Sequence, residues 1–136
     1  MKNIKVLKEN YDIATAPSIH VAIIDGSVNG TMVEMYKSFA ETLHFPDYFG
    51  ANLDALYDML CDLTWFEEKG IDKIHIVLRN YDALLSTEDH DEKLGVLSVL
   101  RDTAEEWHWL EADEKNLDFE LYIEPCTRYK KDLKEI

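Results

Sequence analysis

The sequence predicts an α/β domain built on a small, mostly parallel sheet of three strands, with a candidate for a fourth, packed with helices. Strand-like apolar runs and segments with helical spacing of apolar residues follow one another in the order strand, helices, strand, helix, strand. This order is typical of parallel sheets, because parallel neighbours need a crossover connection that a helix usually supplies. The 136 residues are most simply one domain, large enough to bury roughly two thirds of the surface that the unfolded chain exposes.

The first strand and the first helix are predicted in the N-terminal third. Residues 18–25 form an apolar run that ends at a glycine, as a buried strand does. Thr31 and Glu34 have the capping-box spacing that starts a helix. The helical spacing of the apolar residues then extends this helix to about His44. Pro46 ends it, because proline disfavours helical backbone in the residue before it.

A second helix is predicted to begin at Asn52 as its N-cap and to end near residue 63 or 64, with a short helical turn after it. One side carries leucines at positions 53, 56, 60 and 63. The opposite side carries aspartates at i, i+4 and i+8, namely Asp54, Asp58 and Asp62. Like charges at this spacing destabilise a helix by about 0.2–0.5 kcal/mol per pair. A column of aspartates beside aromatic residues therefore indicates a positively charged partner.

Two strands and a long helix are predicted in the C-terminal half. The second strand covers residues 74–78, and the third covers residues 119–124 with period-two alternation, closed by Pro125 as an edge-type strand. Between them a helix is predicted from about residue 92 to 110, with these residues facing inward: Leu94, Leu97, Leu100, Ala104 and Trp107. The charged segment 88–92 is interpreted as the solvated start of this helix.

The predicted domain covers residues 18–126. Residues 1–17 form an N-terminal extension with a candidate strand at residues 4–7, which the sequence alone does not place in the sheet. Residues 127–136 are a polar C-terminal tail, for which a terminal helix and a frayed end are both open.

The charge of the chain restricts its partners. With 14 basic and 28 acidic residues the net charge is −14, which argues against nucleic acid as a direct ligand because phosphates would be repelled. No apolar run approaches the roughly 20 residues of a membrane span, and the first residues lack the apolar core of a signal peptide. Cys61 and Cys126 match no CxxC spacing. We therefore expect a cytoplasmic protein with free thiols, basic partners and a monomeric free state.

The three aspartates do not carry equal weight. Asp54 lies in the first helical turn, where a carboxylate also interacts favourably with the helix dipole by about 0.3–1 kcal/mol. Asp58 lies one turn further in, gains little from the dipole and is close to both neighbours, so a partner or a merely solvated face explains it. Asp62 is the least specific of the three. The aromatic residues Tyr48 and Tyr57 suit half-buried rings of the kind enriched at interfaces.

No enzyme signature is present. The chain lacks the GxSxG, P-loop, GxGxxG and HExxH motifs, so we expect no catalytic residue, no cofactor and no metal ligand. Two carboxylates on one convex helix face cannot flank a glycosidic bond. A weaker alternative is a Mg²⁺ or Ca²⁺ site formed by the three aspartates, although all-helix sites usually draw ligands from more than one element.

Residues 46–58 read Pro-Asp-Tyr-Phe-Gly-Ala-Asn-Leu-Asp-Ala-Leu-Tyr-Asp. This segment resembles the signature Pro-x-Tyr-Tyr-Gly-x-Asn-Leu-Asp-Ala-Leu-Trp-Asp of the barstar family, intracellular inhibitors of a secreted ribonuclease. The loop, glycine, cap and both aspartates agree without a gap, while residues 20–126 agree more in element order than in identity. Tyr57 stands where the family has tryptophan and Ala51 where it has glutamate, which affects the choice of target more than the fold.

The resemblance implies an inhibitor or immunity protein, an antitoxin for a basic barnase-like ribonuclease or nuclease toxin, whose acidic helix and aromatic loop mimic RNA phosphates. It implies that Tyr48 packs on the catalytic histidine of the nuclease and that Asp58 enters its phosphate-binding pocket. The complete set of candidate partner-binding residues is Tyr48, Phe49, Gly50, Asn52, Asp54, Tyr57, Asp58, Asp62 and, by a weaker alignment of residues 96–102, Asp102. The alternative is an acidic interaction module for a basic partner that is not a nuclease.

Overall fold

A four-stranded, all-parallel sheet organises the protein. The computed structural model describes residues 4–6, 16–110, 117–124 and 126–136. The strands pair in the order β1-β4-β3-β2, with bounds β1 Ile4–Val6, β2 Ile19–Asp25, β3 Lys73–Arg79 and β4 Asp118–Ile123. The helices are α1 Met32–Thr42, α2 Leu53–Asp62, α3 His90–Leu110 and α4 Thr127–Glu135. Short 3-10 segments lie at Gly26–Val28, Thr64–Lys69 and Tyr81–Ala83.

The predicted fold class is confirmed, and the candidate fourth strand has a place in the sheet. Ile4 pairs with Leu121 and Val6 with Ile123, so β1 lies beside β4. The prediction that β4 is an edge strand was therefore wrong, because β4 lies between β1 and β3. A proline that follows a strand removes no hydrogen bond from its ladder. Pro125 itself is outside the described residues.

The main core lies between one face of the sheet and the helices. Its strand residues include Ala22, Ile24, Ile74, Ile76, Leu78, Leu121 and Ile123, and its helix residues include Met35, Phe39, Leu56, Leu60, Val96, Leu97, Leu100, Ala104 and Trp107. The inward face of α3 was predicted correctly except at Leu94, which is half-buried. Lys93 is buried at that end of the helix instead, because its Nζ donates a hydrogen bond to the carbonyl of Tyr81 at 2.8 Å.

Helix α2 is held against α3 at both ends. A Cβ at Gly95 of α3 would lie 3.2 Å from Leu53 Cδ1, so the small residue allows a close approach at the first turn of α2. At the other end, Trp107 Nε1 donates to the carbonyl of Leu60 at 2.7 Å. That carbonyl is one of the last four in the helix and has no partner within it. These two contacts fix the position of α2 on α3, so that the acidic side of α2 faces away from the core.

We expect Trp107→Phe to lower the free energy of unfolding by about 1–3 kcal/mol, because the buried Leu60 carbonyl loses its donor while most of the apolar contact remains. Urea unfolding followed by circular dichroism measures this change. Tyr48→Phe is the control, since Tyr48 is 71% exposed and we expect a change within about 0.5 kcal/mol. Equal stability of Trp107→Phe and the wild type would show that the indole hydrogen bond contributes nothing.

Residues 127–136 form a packed helix rather than a frayed tail. Tyr129 of α4 belongs to the main core, and Asp132 is buried. The hydroxyl of Tyr81 donates to Asp132 Oδ2 at 2.7 Å, and Lys93 Nζ lies 4.1 Å from the centroid of the Tyr81 ring. Burial, followed by the bond to Asp132, raises the pKa of Tyr81, and burial lowers the pKa of Lys93. Helix α4 is therefore joined to the domain through a buried polar cluster.

Two further expectations concern the whole chain. Neither Cys61 nor Cys126 takes part in a disulfide in the described part of the chain. Among the helices of the described ranges, none has the length and apolar character to cross a membrane.

Candidate functional site

The predicted acidic helix forms with its predicted start. The side chain of Asn52 accepts a hydrogen bond from the amide of Ala55 at 2.8 Å, which is the N-cap geometry. The leucine side packs into the core, with Leu56 and Leu60 fully buried. The helix ends where Leu63 adopts a left-handed backbone, at φ 56°. Local sequence and burial together fix which side of α2 faces outward.

The three aspartates of α2 occupy different environments. Asp54 and Asp58 are exposed, and neither carboxylate has a hydrogen bond or ion pair within the described ranges. Asp62 is half-buried, and its Oδ1 accepts from Thr64 Oγ1 at 2.8 Å and from the Thr64 amide at 3.3 Å. Asp62 thus stabilises the turn after α2, whereas Asp54 and Asp58 are available to a partner.

The loop between α1 and α2 separates its two neighbouring aromatic residues. Phe49 is half-buried, with ring centroids 4.9 Å from Phe45 and 6.0 Å from Tyr36. Tyr48 is 71% exposed. Because the Phe49 ring packs against Phe45 and Tyr36, the side chain of the preceding Tyr48 points outward. Phe49 therefore supports the loop, and Tyr48 is its exposed aromatic surface.

The remaining loop positions shape the approach to α2. Ala51, where the family signature has another residue, adopts a left-handed backbone with φ 47°. A Cβ at Gly50 would lie 3.4 Å from Asn52 Nδ2 and 3.8 Å from the Cβ of Ala55. Because Gly50 has no side chain, the start of α2 stays uncovered at this position. The left-handed backbone belongs to Ala51 and not to Gly50.

Tyr57 lies at the junction of α2 and α3 and is half-buried. Burial raises the pKa of Tyr57 to about 12, and the neighbouring Cys61, which is hydrogen-bonded to the Tyr57 side chain, contributes to this shift. Glu106 and Asp102 have smaller effects in the same direction. Asp102 is exposed, and Arg101 Nε donates to its Oδ1 at 3.1 Å. Asp102 of α3 is close enough to the α2 surface to affect Tyr57, and its role as a partner-binding residue stays a prediction. Glu106, one turn further along α3, lies near Tyr57 as well, and the sequence analysis did not include it among the candidates.

The α2 column does not form a metal-ligand group. Within the described part of the chain, the group of three such side chains with ligand atoms close together is His90, Asp132 and Glu135. None of these residues is on α2. The structure therefore gives no support to a Mg²⁺ or Ca²⁺ site at the aspartate column.

A family model described as Barstar (barnase inhibitor) matches residues 19–124. The chain belongs to the barstar family. The matched range begins at the first residue of β2 and ends one residue after β4, so it includes the exposed loop, α2 and Asp102. Strand β1 and helix α4 lie outside it. Comparison with curated proteins gives no match.

The barstar family is a family of ribonuclease inhibitors and not a family of enzymes. The exposed residues of the loop and α2 lie within the matched range.

His44, at the start of the loop between α1 and α2, has a lowered pKa and contacts three neighbouring side chains. Lys69 Nζ donates to His44 Nδ1 at 3.0 Å, and the ring lies 5.4 Å from Phe66 and 5.2 Å from His20 between centroids. Desolvation, then the charges of Lys69 and His20, lower the pKa of His44. Protonation would remove the acceptor of Lys69 and place two positive charges together.

We expect stability to decrease as pH falls below the unfolded histidine pKa of about 6.5. With a lowered pKa in the folded state, the unfolded chain binds the proton first, so its free energy falls relative to the folded state. Urea unfolding at about pH 7.5 and about pH 5.5 should show a smaller decrease in His44→Asn than in the wild type. Asparagine tolerates the left-handed backbone of this position, at φ 54°. An unchanged pH dependence in the variant would contradict the role of His44.

Proposed function

We propose that the protein inhibits a basic ribonuclease, either a barnase-like enzyme or the nuclease domain of a toxin, by placing carboxylates of α2 in its phosphate-binding site. One observation carries the proposal. Within the range matched by the barstar family, Asp54 and Asp58 are exposed one turn apart on a helix whose opposite side is buried. Such an inhibitor would act in the cytoplasm of the nuclease-producing cell as an immunity protein.

The chemistry of the target supports phosphate mimicry. A ribonuclease holds the RNA backbone with arginine, lysine and histidine side chains, which form strong charge-assisted hydrogen bonds with carboxylates. Asp58, at the middle of α2, enters this site most deeply in the proposed complex, and Asp54 binds beside it. RNA and the inhibitor would then compete for the same cations, so that binding excludes the substrate.

Rigidity of α2 supports the proposal energetically. Association is weakened by the entropy of ordering flexible groups. The backbone of α2 is already fixed by the Asn52 cap, the buried leucines and the Trp107 hydrogen bond. On the exposed side of α2, the short side chains of Asp54 and Asp58 are then what must be ordered when the partner binds.

The surrounding residues have secondary roles in the proposed complex. Tyr48 offers an exposed ring that packs on the catalytic histidine of the nuclease. Asp102 adds a carboxylate from α3 at the side of α2. Phe49 and Tyr57 hold the loop and the α2–α3 junction, while Gly50, Asn52 and Asp62 shape the two ends of the surface.

The direct test is RNA cleavage by a barnase-type ribonuclease titrated with the full chain. The proposal predicts stoichiometric inhibition that added RNA substrate relieves, because the two compete for one site. A parallel binding titration with a catalytically inactive variant of the nuclease shows whether the two proteins form a complex. Binding without loss of cleavage would overturn active-site mimicry. Capture of a basic protein without nuclease activity, in place of any nuclease, would favour the interaction-module alternative.

Association with the target should be fast and should slow as salt is added. A −14 chain steers a basic partner, and ionic strength screens this long-range attraction. From about 0.05 M to about 0.5 M salt we expect the association rate to fall by about tenfold or more, with a smaller change in dissociation rate. Stopped-flow fluorescence measures both rates. The association rate of a double variant with Asp54→Asn and Asp58→Asn should depend less steeply on salt than that of the wild type. An equal salt dependence of the two rates would contradict electrostatic steering by α2.

A further inference from the structure

A histidine and two carboxylates converge where α4 packs against the start of α3. His90 Nε2 lies 2.8 Å from Glu135 Oε2 and 3.7 Å from Asp132 Oδ1. One potential ligand atom from each residue lies within 4.8 Å of the other two. The ligand atoms come from two helices, and none belongs to the inhibitory surface proposed for α2. The cluster therefore needs an explanation of its own.

Asp132 is oriented in the way that metal-binding carboxylates are. It is 1% exposed, and its Oδ2 accepts the Tyr81 hydroxyl at 2.7 Å. Its Oδ1 faces His90 at a distance that is too long for a hydrogen bond. Metal-ligating carboxylates are commonly held by a second residue through the oxygen that does not bind the ion. The bond from Tyr81 thus leaves one oxygen directed toward the imidazole.

The site also has space for further ligands. Asp132 and Glu135 are three residues apart, so both lie on the face of α4 that meets His90. A cavity of about 510 Å³ opens at this place and is also lined by Arg128 and Lys131. Water can enter it and complete a tetrahedral coordination shell.

The donor set selects among metal ions. An imidazole with two carboxylates suits Zn²⁺, whereas Mg²⁺ and Ca²⁺ prefer oxygen ligands alone. The positive charges of Arg128, Lys131 and the buried Lys93 oppose any added cation. Only an ion that forms strong bonds to imidazole overcomes this repulsion.

We propose that His90, Asp132 and Glu135 bind a Zn²⁺ ion, with water in the fourth position, and that the ion links the C-terminal helix to α3. Ligand bonds of about 2.0–2.2 Å would replace the hydrogen bond between His90 and Glu135. The ion would act on the packing of α4 against α3, because both ligand-bearing helix segments lie outside the α2 surface. It does not depend on the proposed inhibitory function.

The test is a Zn²⁺ titration of the full chain by calorimetry, after purification with a chelator and its removal. The ligand variants are His90→Gln and Glu135→Gln, whose side chains are 42% and 40% exposed, so the fold is retained. The control is His108→Gln, an exposed histidine at the other end of α3. We expect one Zn²⁺ per chain in the wild type and the control, with binding about tenfold or more weaker in both ligand variants.

The spectrum of the Co²⁺-substituted protein distinguishes this site from the cysteines. Ligation by imidazole and carboxylate produces d–d bands without a thiolate-to-cobalt charge-transfer band. A charge-transfer band would place the ion on Cys126 or Cys61 and overturn the proposal. Absence of Zn²⁺ binding, or equal affinity in the wild type and both ligand variants, would overturn it as well.

Discussion

Asp58→Ala should weaken binding to the target nuclease by at least about 2 kcal/mol, or about thirtyfold in Kd, while Asp62→Ala should change it by less than about 0.5 kcal/mol. The two residues have the same chemistry and lie one turn apart on α2. Asp58 is exposed, whereas the carboxylate of Asp62 is bound to Thr64. Truncating Asp58 leaves the cations of the nuclease pocket without their partner, which is the reason for the large effect.

The stability of the Asp58→Ala variant should move in the opposite direction. The substitution removes repulsion from Asp54 and Asp62 and places a better helix former in an exposed helical position. We expect the free energy of unfolding to rise by about 0.5–1 kcal/mol while binding is lost. This combination is typical of a residue retained for binding, because a merely structural residue would lose both.

Calorimetric titration of the nuclease with each variant, together with urea unfolding of the free proteins, tests this prediction. Asp58→Asn serves as an isosteric variant that removes the charge and keeps the size. Equal losses of affinity in Asp58→Ala and Asp62→Ala would contradict the proposed orientation of α2. A loss of stability in Asp58→Ala would show that its carboxylate has an internal role.

Asp132→Ala should lower the free energy of unfolding by about 2–5 kcal/mol, which is the largest change in stability that we expect from any substitution that we propose. The substitution leaves the buried Tyr81 hydroxyl without its acceptor. It also removes the negative charge that favours the ionised form of buried Lys93. Glu135→Gln on the same helix is the control, with an expected change within about 0.5 kcal/mol in the presence of a chelator.

A double-mutant cycle separates the two causes. In a Lys93→Met background the Asp132→Ala substitution no longer leaves a buried charge uncompensated, so its effect should be smaller than in the wild type. Urea unfolding in a chelator measures all four proteins. Strict additivity of the two substitutions would show that Lys93 and Asp132 are not coupled, and the remaining loss would then belong to Tyr81.

The site was more predictable than the sheet edges. Asn52, Asp54 and Asp58 could be placed from the sequence because capping and helical spacing act within a few residues. Tyr48 was recognised as a candidate, but only the anchoring of Phe49 on Phe45 and Tyr36 determines that Tyr48 is the outward ring. The hydrogen bond between Tyr57 and Cys61 is also local, whereas the effects of Glu106 and Asp102 on the pKa of Tyr57 come from α3.

The structural features that the sequence did not predict all depend on contacts between distant residues. Strand β1 is the second neighbour of β4, and the pair Ile4 and Leu121 joins residues that are far apart in the sequence. The inward turn of Lys93 depends on the Tyr81 carbonyl. The cluster of His90 and Glu135 joins residues that are 45 positions apart. No local pattern reports such distant contacts.

The sequence by itself determined the α/β class, the amphipathic pattern of α2 and the alignment of its aspartates opposite its leucines, because these depend on periodicity, capping and charge. It also carried the barstar signature. The tertiary structure decided that β4 is interior, that α4 is part of the packed domain, and that Asp62 is engaged while Asp58 is exposed. The physical reason is that burial and polar pairing are properties of the space between elements, which is defined only when those elements pack.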